Sequence, residues 1–225
     1  MKTRSIDAVV FDFDGTIADT ETPVYEAWRT IFEDHNCELP LSVWVQCVGS
    51  QHSGFDAFDH LLTLSGGDFN RDEIEAEQQR RSQRMRQGMK PLPGVVSWLE
   101  EASSRRLPCA VASSSSRDWV ETMLEGLGLS QYFQALACGD EVPRTKPDPR
   151  IYQLAAERLD VDPHKAIAVE DSANGVKAAV AAGLLCIAVP NPVTCGLDFS
   201  DADHVCGSLE EFNLGHFLGS ERLST

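Results

Sequence analysis

The sequence predicts an α/β fold: a doubly wound, parallel-sheet core interrupted by an inserted helical segment. Three observations carry that expectation. Short, continuously apolar runs recur along the chain, helical patterns alternate with them, and the alternation breaks once, early. Ala8-Val9-Val10-Phe11 is the first run, bounded by Asp7 and Asp12. Similar runs occupy residues 108–112, 135–138, 166–169 and 185–189. A run without a polar face belongs to a strand covered on both sides, which is the habit of parallel sheets.

The intervening helices announce themselves by period and punctuation. Trp119, Val120, Met123, Leu124 and Leu127 recur at helical spacing, and Gly128 follows as a stop. Asp148 before Pro149 reads as an N-cap with proline at the first helical position, and Ile151, Leu154, Ala155 and Leu159 form the buried stripe. Residues 172–182 give a third helix, ended by Gly183. Strands alternating with helices of this length build a doubly wound sheet.

Residues 20–90 break the rhythm. Tyr25, Trp28, Ile31 and Phe32 suggest one amphipathic helix, and Phe55, Phe58, Leu61 and Leu62 another. Asn70 with Glu73 is a capping-box signal that opens a very polar stretch, residues 71–87. Pro91-Leu92-Pro93-Gly94 reads as the return hinge. The expected organisation is therefore a core of residues 1–19 and 91–225 with a helical insertion over 20–90. Trp28, Trp44, Phe55 and Phe58 are expected to form the insertion's own core.

The chain of 225 residues has 19 Lys+Arg against 35 Asp+Glu, a formal net charge of −16. Such a surface repels nucleic acids and anionic membranes, both polyanions. No apolar run approaches the roughly 20 residues of a membrane span, and none follows the basic N-terminus as a secretory signal would require. Seven cysteines, an odd number without C-x-x-C spacing, read as reduced thiols in a cytoplasmic protein. A monomer is the expected state.

In α/β sheets functional groups gather beyond the carboxyl ends of the strands. Asp12 and Asp14 follow the first run, Ser113 the second, and Glu170 with Asp171 the fourth; Lys146 stands just before a helix. Several carboxylates converging on one edge require a cation among them. Hard oxygen ligands without Cys or His beside them suit Mg²⁺. A lysine, a hydroxyl and the helix start near Ser116 beside such a site make an anion pocket, and phosphate is the fitting anion.

These residues form a recognisable set. Asp12-Phe13-Asp14-Gly15-Thr16 after an apolar strand resembles the signature of the haloacid dehalogenase-like hydrolase superfamily. Ser113 after Ala110-Val111-Ala112, Lys146 in Lys146-Pro147-Asp148-Pro149, and Glu170-Asp171-Ser172 resemble its other three motifs in order. The likeness spans essentially the whole chain. The insertion resembles the helical cap of the branch that holds phosphoglycolate phosphatases, sugar-phosphate phosphatases and β-phosphoglucomutases.

That resemblance implies a Mg²⁺-dependent phosphatase acting on a small phosphorylated metabolite. Asp12 would be the nucleophile that forms an aspartyl-phosphate, and Asp14 the acid and then the base. Asp12, the Asp14 carbonyl and Asp171 would bind the metal, with Glu170 assisting. Ser113 and Lys146 would hold the phosphate oxygens, and Lys146 would offset developing charge. Ser114, Gly49 and His52 are candidate substrate contacts; the basic residues Arg80, Arg81, Arg84, Arg86 and Lys90 read as a solvated helix face. The mutase alternative is weakened because Thr22-Pro23-Val24 stands where those mutases carry a His, and Gly49-Ser50-Gln51-His52 where they carry an Arg. Asp14 speaks against a dehalogenase. No inserted lysine suggests Schiff-base chemistry, and a signalling receiver would order its acidic residues differently.

Overall fold

The computed structural model describes residues 5–45 and 55–218. Among these, six parallel strands form one sheet in the order β3-β2-β1-β4-β5-β6. They are β1 (Ala8–Phe11), β2 (Cys109–Ser113), β3 (Phe133–Cys138), β4 (Ala166–Glu170), β5 (Leu185–Ala188) and β6 (His204–Val205). The five apolar runs became the first five strands. The sixth is two exposed residues long, too short and polar to leave a pattern. β1 lies at the centre, hydrogen-bonded to β2 on one side and β4 on the other.

The chain leaves β1 towards β2 and β3, then returns to β4 on the opposite side, so the connections diverge beside β1. At such a point no crossover fills the crevice at the carboxyl edge. Helices α5 (Val95–Ser104) and α6 (Arg117–Leu127) flank one face, and α7 (Arg150–Arg158) and α8 (Ala173–Ala182) the other. Alternation along β1 divides its side chains: Val9 and Phe11 join the first face, Ala8 and Val10 the second.

The two faces are built differently. The α5/α6 side contains large groups, including Trp98, whose indole N–H is shared between the carbonyls of Leu209 and Phe212. The α7/α8 side is rich in alanine, with Ala110, Ala112, Ala166, Ala168, Ala178 and Ala179 all buried. Small side chains let α7 and α8 approach the sheet closely, which brings the residues before them to the strand ends.

Helix boundaries follow local chemistry. Ser116 caps α6 by accepting from the Trp119 N–H, and Gly128 ends it in the left-handed conformation. Ser172 caps α8 through the Gly175 N–H, and Gly183 ends it likewise. One expectation shifts. α7 begins at Arg150 after an N-cap at Pro149, one residue later than the sequence suggested. Asp148 still accepts the Arg150 N–H at 3.0 Å.

Between β1 and α5 lie α1 (Glu21–Asp34), α2 (Leu41–Trp44), α3 (Ala57–Ser65) and α4 (Arg71–Met85). Trp28, Trp44, Phe58 and Leu61 form a separate apolar cluster, with Phe55 packed against it. Asn70 opens α4 by accepting the N–H groups of Asp72 and Glu73. The return near Pro91 is fixed to the segment that leaves β1: Leu92 N–H donates to the Ile17 carbonyl at 2.8 Å, and Pro91 pairs with Ala18. Gly94 then opens α5, a helix that the sequence reading left out.

Glu141 ties the two faces together at the β3 edge. Arg117 of α6 and Arg158 of α7 both grip its carboxylate, at 2.9–3.0 Å. Hydrogen bonding from Arg158, then from Arg117, holds its pKa at about 2 against an ordinary 4.5, despite the opposing effect of burial. The depressed value makes its stabilisation complete above pH 4.5 and lost as pH falls towards 2. Glu141→Gln is expected to cost about 1 kcal/mol at neutral pH and to flatten the acid limb of a urea-denaturation series. An unchanged acid limb would contradict this.

Candidate active site

The carboxyl ends of β1, β2 and β4 bring together what the sequence placed apart. Asp12, Glu170 and Asp171 are all buried and offer carboxylate oxygens within 4.8 Å of one another. Lys146, 2% exposed, inserts its ammonium between Asp12 and Glu170, 2.6 Å from Glu170 Oε1. Burial alone would depress the lysine, but Asp12 and Glu170 more than offset this and raise its pKa. Its charge is therefore secure.

Glu170 is saturated with donors. Oε1 accepts from Lys146 and from the buried Tyr152 hydroxyl, each at 2.6 Å. Oε2 accepts from the Asp171 and Ser172 N–H groups and the Ser172 hydroxyl at 3.2–3.3 Å. Gly175 is obligatory beneath it, because an added Cβ would fall 1.9 Å from the carboxylate. On the far side, Asp171 accepts from Thr16 at 3.2 Å and from Asn191 at 2.6 Å. Gly15 sits against Asp171 with φ +84°, and its Cβ would lie 2.3 Å from Oδ2, so both conformation and space demand glycine.

Three carboxylates against one ammonium leave two negative charges to be balanced in a buried space. Burial, opposed by Lys146 and reinforced by Glu170 and Asp14, pushes Asp12 up to about 7. Asp171 is raised well above the carboxylate range, chiefly by burial and then by Asp12 and Glu170. Hard oxygen donors with a net charge of this sign fit a divalent cation.

Asp14 stands apart from that cluster. Its carboxylate accepts from Thr20 (2.8 Å) and the Trp119 indole (3.0 Å) on Oδ1, and from Ser113 (3.2 Å) and Ser115 (2.6 Å) on Oδ2. Thr20 precedes α1 but caps nothing; its hydroxyl serves Asp14 instead. Beyond Asp14 opens a cavity of about 420 Å³, lined also by Thr20, Glu21, Val24, Arg86, Ser115, Ser116 and Trp119. Burial and the nearby Asp14, Asp12 and Asp19 push Glu21 up to about 8.

Several residues escaped the sequence reading. Ser115 and Ser116, not Ser114, line the cavity. Trp119, expected only as a helix's apolar face, is half-buried and donates to Asp14. Asn191 follows β5 and was findable by the strand-end rule; Thr16 stood within the first motif without a role of its own, and Tyr152 carried no signal beyond its helix. Gly49 and His52 lie outside the described residues. Of the basic run, Arg80 pairs with Glu77, and Arg81 with Glu77 and Asp34. Only Arg86 of that run is among the cavity's lining residues.

The chain is similar to known proteins along most of its length. The family model for haloacid dehalogenase-like hydrolases matches residues 9–189. The chain belongs to this family. It is 41% identical to YhcW of Bacillus subtilis over 213 residues, 95% of this chain and 96% of that one. It is 33% identical to a phosphorylated carbohydrates phosphatase of Thermotoga maritima over 180 residues, 80% and 82% of the two chains. The crystal structure of CbbY from Rhodobacter sphaeroides, in complex with phosphate, superposes with a TM-score of 0.75 at 29% identity, covering 94% of this chain and 99% of that one. Haloacid dehalogenase-like phosphatases generally use a divalent metal, and the acidic triad here fits one.

All six described cysteines are free thiols. No helix among the described residues is long and apolar enough to cross a membrane.

The charge imbalance gives a direct test. Mg²⁺ at 100-fold excess over its Kd is expected to stabilise the protein by about 2.7 kcal/mol, read as a rise in Tm by scanning fluorimetry. Asp171→Asn is expected to abolish that rise. A rise undiminished in the variant would place the cation elsewhere.

Proposed function

We propose that this hydrolase is a Mg²⁺-dependent phosphatase of small phosphorylated metabolites, sugar phosphates above all, working through an aspartyl-phosphate. The observation that carries this reading is the disposition of two aspartates two residues apart. Asp12 lies against a buried ammonium at the closed end, and Asp14 faces the open cavity. A nucleophile needs charge compensation where phosphoryl oxygens arrive, and an acid–base group needs to face the departing alcohol.

In the first step an Asp12 carboxylate oxygen attacks phosphorus while the bond from phosphorus to the alcohol oxygen breaks. Asp14, protonated at that moment, gives its proton to the departing oxygen. In the second step a water oxygen attacks the same phosphorus, Asp14 takes the water's proton, and Asp12 leaves with its original electron pair. Ser113 and Lys146 hold the non-bridging oxygens, and Lys146 offsets the charge that gathers on them. Asp12 and Asp171, with the Asp14 carbonyl, would hold Mg²⁺, and Glu170 would support them through its fixed position. A bound Mg²⁺ supplies further charge neutralisation at the phosphoryl group. Four donors on Asp14 fix where its carboxylate points, so the same group is in place for both steps.

Residues 20–90 act as a cap over the core of 1–19 and 91–225, and its closure excludes water from the first step. The Thermotoga relative's named activity towards phosphorylated carbohydrates supports a sugar phosphate as substrate. Phosphatase rather than mutase chemistry is favoured because Val24, within the segment where the mutases carry a His, lines the cavity with an apolar group. The enzyme works as a cytoplasmic monomer on this reading.

Phosphate release from p-nitrophenyl phosphate and a sugar-phosphate panel is expected to require Mg²⁺. Asp12→Asn is expected to lower kcat at least about 1,000-fold, and Asp14→Asn roughly 100- to 10,000-fold. Undiminished turnover by Asp12→Asn would refute the intermediate. β-Glucose 1-phosphate is expected to give free glucose; glucose 6-phosphate as product would restore the mutase.

A further inference from the structure

The helical insertion brings one cation to the cavity. Arg86 follows α4, and its guanidinium carbon lies 4.8 Å from the ring centre of Trp119 at the start of α6. Three of the four arginines of α4 are committed: Arg71 to Asp56, Asp59 and Glu75, Arg80 to Glu77, and Arg81 to Glu77 and Asp34; the fourth, Arg84, is exposed and does not line the cavity. Arg86 forms no ion pair among the described residues; the indole face is its partner. Stacking uses the flat face of a guanidinium and leaves its in-plane N–H donors unspent, in the fork that matches a carboxylate or phosphate.

The surroundings favour an incoming anion. Arg86 is half-buried, and its pKa is lowered by burial, with Asp14 opposing that shift. A partly desolvated cation without an ion-pair partner gains from an anion carried in by a ligand. Glu21, also in this cavity, is pushed up by burial and by the nearby Asp14, Asp12 and Asp19, which weakens it as a counter-ion for Arg86. Ser115 and Ser116 add hydroxyls to the same wall. An alcohol leaving past Asp14 departs into the space that Arg86 lines.

We propose that Arg86, braced on Trp119, determines substrate class by binding a second anionic group, a phosphate or a carboxylate, on the alcohol part of the phosphomonoester. This rests on the phosphatase reading above. The reacting phosphoryl group is held at Asp12 and Lys146; the second anion is held across the cavity by a residue of the insertion. Monoesters without that group lose the contact.

The test is a set of matched substrates assayed with wild type, Arg86→Met and Arg86→Lys. Fructose 1,6-bisphosphate against fructose 6-phosphate reads a second phosphate; 6-phosphogluconate against glucose 6-phosphate reads a carboxylate. Wild type is expected to prefer the doubly anionic member of at least one pair, and the responding pair identifies the anion. Arg86→Met is expected to reduce that preference, as a ratio of kcat/KM values, by roughly 10- to 100-fold, mainly through KM. Arg86→Lys, which keeps charge but loses the fork, is expected to restore part of the ratio. It also serves if the methionine variant proves unstable. A ratio that is the same in all three proteins, or a wild-type preference for the singly anionic members, would overturn the proposal while leaving phosphatase activity intact. No phosphate release from any substrate, p-nitrophenyl phosphate included, would overturn the phosphatase reading itself and this proposal with it.

Discussion

The structure depends on one buried electrostatic arrangement: the ammonium of Lys146 lodged between Asp12 and Glu170 at the centre of the sheet edge. Removing one member of such a group leaves an uncompensated charge in a place water cannot reach, which is strongly destabilising. Three elements therefore have to meet with little freedom. β1 delivers Asp12, β4 delivers Glu170, and the segment before α7 delivers Lys146. Tyr152, in the first turn of α7, sets its hydroxyl on Glu170. Close packing of the alanine-rich face against α7 and α8 is what allows that approach.

The arrangement is only partly neutral, and the function follows from the remainder. Five donors hold the Glu170 carboxylate in place, whereas burial with Glu170 and Asp14 pushes Asp12 up against the pull of Lys146, and burial with Asp12 and Glu170 pushes Asp171 up. A site with surplus negative charge at its floor would repel a phosphate. A divalent cation reverses the local sign, and an acidic protein can then take an anionic substrate. Asp14 is kept out of this cluster by its own four donors, so two neighbouring aspartates occupy different environments and can take different tasks.

Much of this was legible in the order of residues. Five strands were readable because strands covered on both faces show no polar break, and their carboxyl ends carried Asp12, Ser113 and Glu170. β6 was not readable, being two exposed residues. α5 was missed because its stripe of Val95, Trp98, Leu99 and Ala102 follows a hinge-like Pro-Leu-Pro-Gly that reads as loop. The α7 boundary slipped because Pro149 can occupy either the cap or the first turn. Among the four serines, composition cannot tell which hydroxyls turn inward; the turn before α6 selects Ser113 and Ser115.

Sequence alone determined the doubly wound core, the presence of an insertion and the chemistry-bearing residues at the strand ends. Those are local properties, set by periodicity, turn chemistry and residue type. Tertiary structure decided what each residue faces. It turned Trp119 from an apolar helix position into a hydrogen-bond donor to Asp14. It made Thr20 a partner of Asp14 rather than a helix cap, and brought Asn191 to Asp171 across twenty residues of chain. It also separated Arg86 from the ion-paired Arg71, Arg80 and Arg81 of α4 and set it against Trp119 in the cavity. Such pairings depend on the directions of side chains from elements distant in sequence, and only packing fixes those directions.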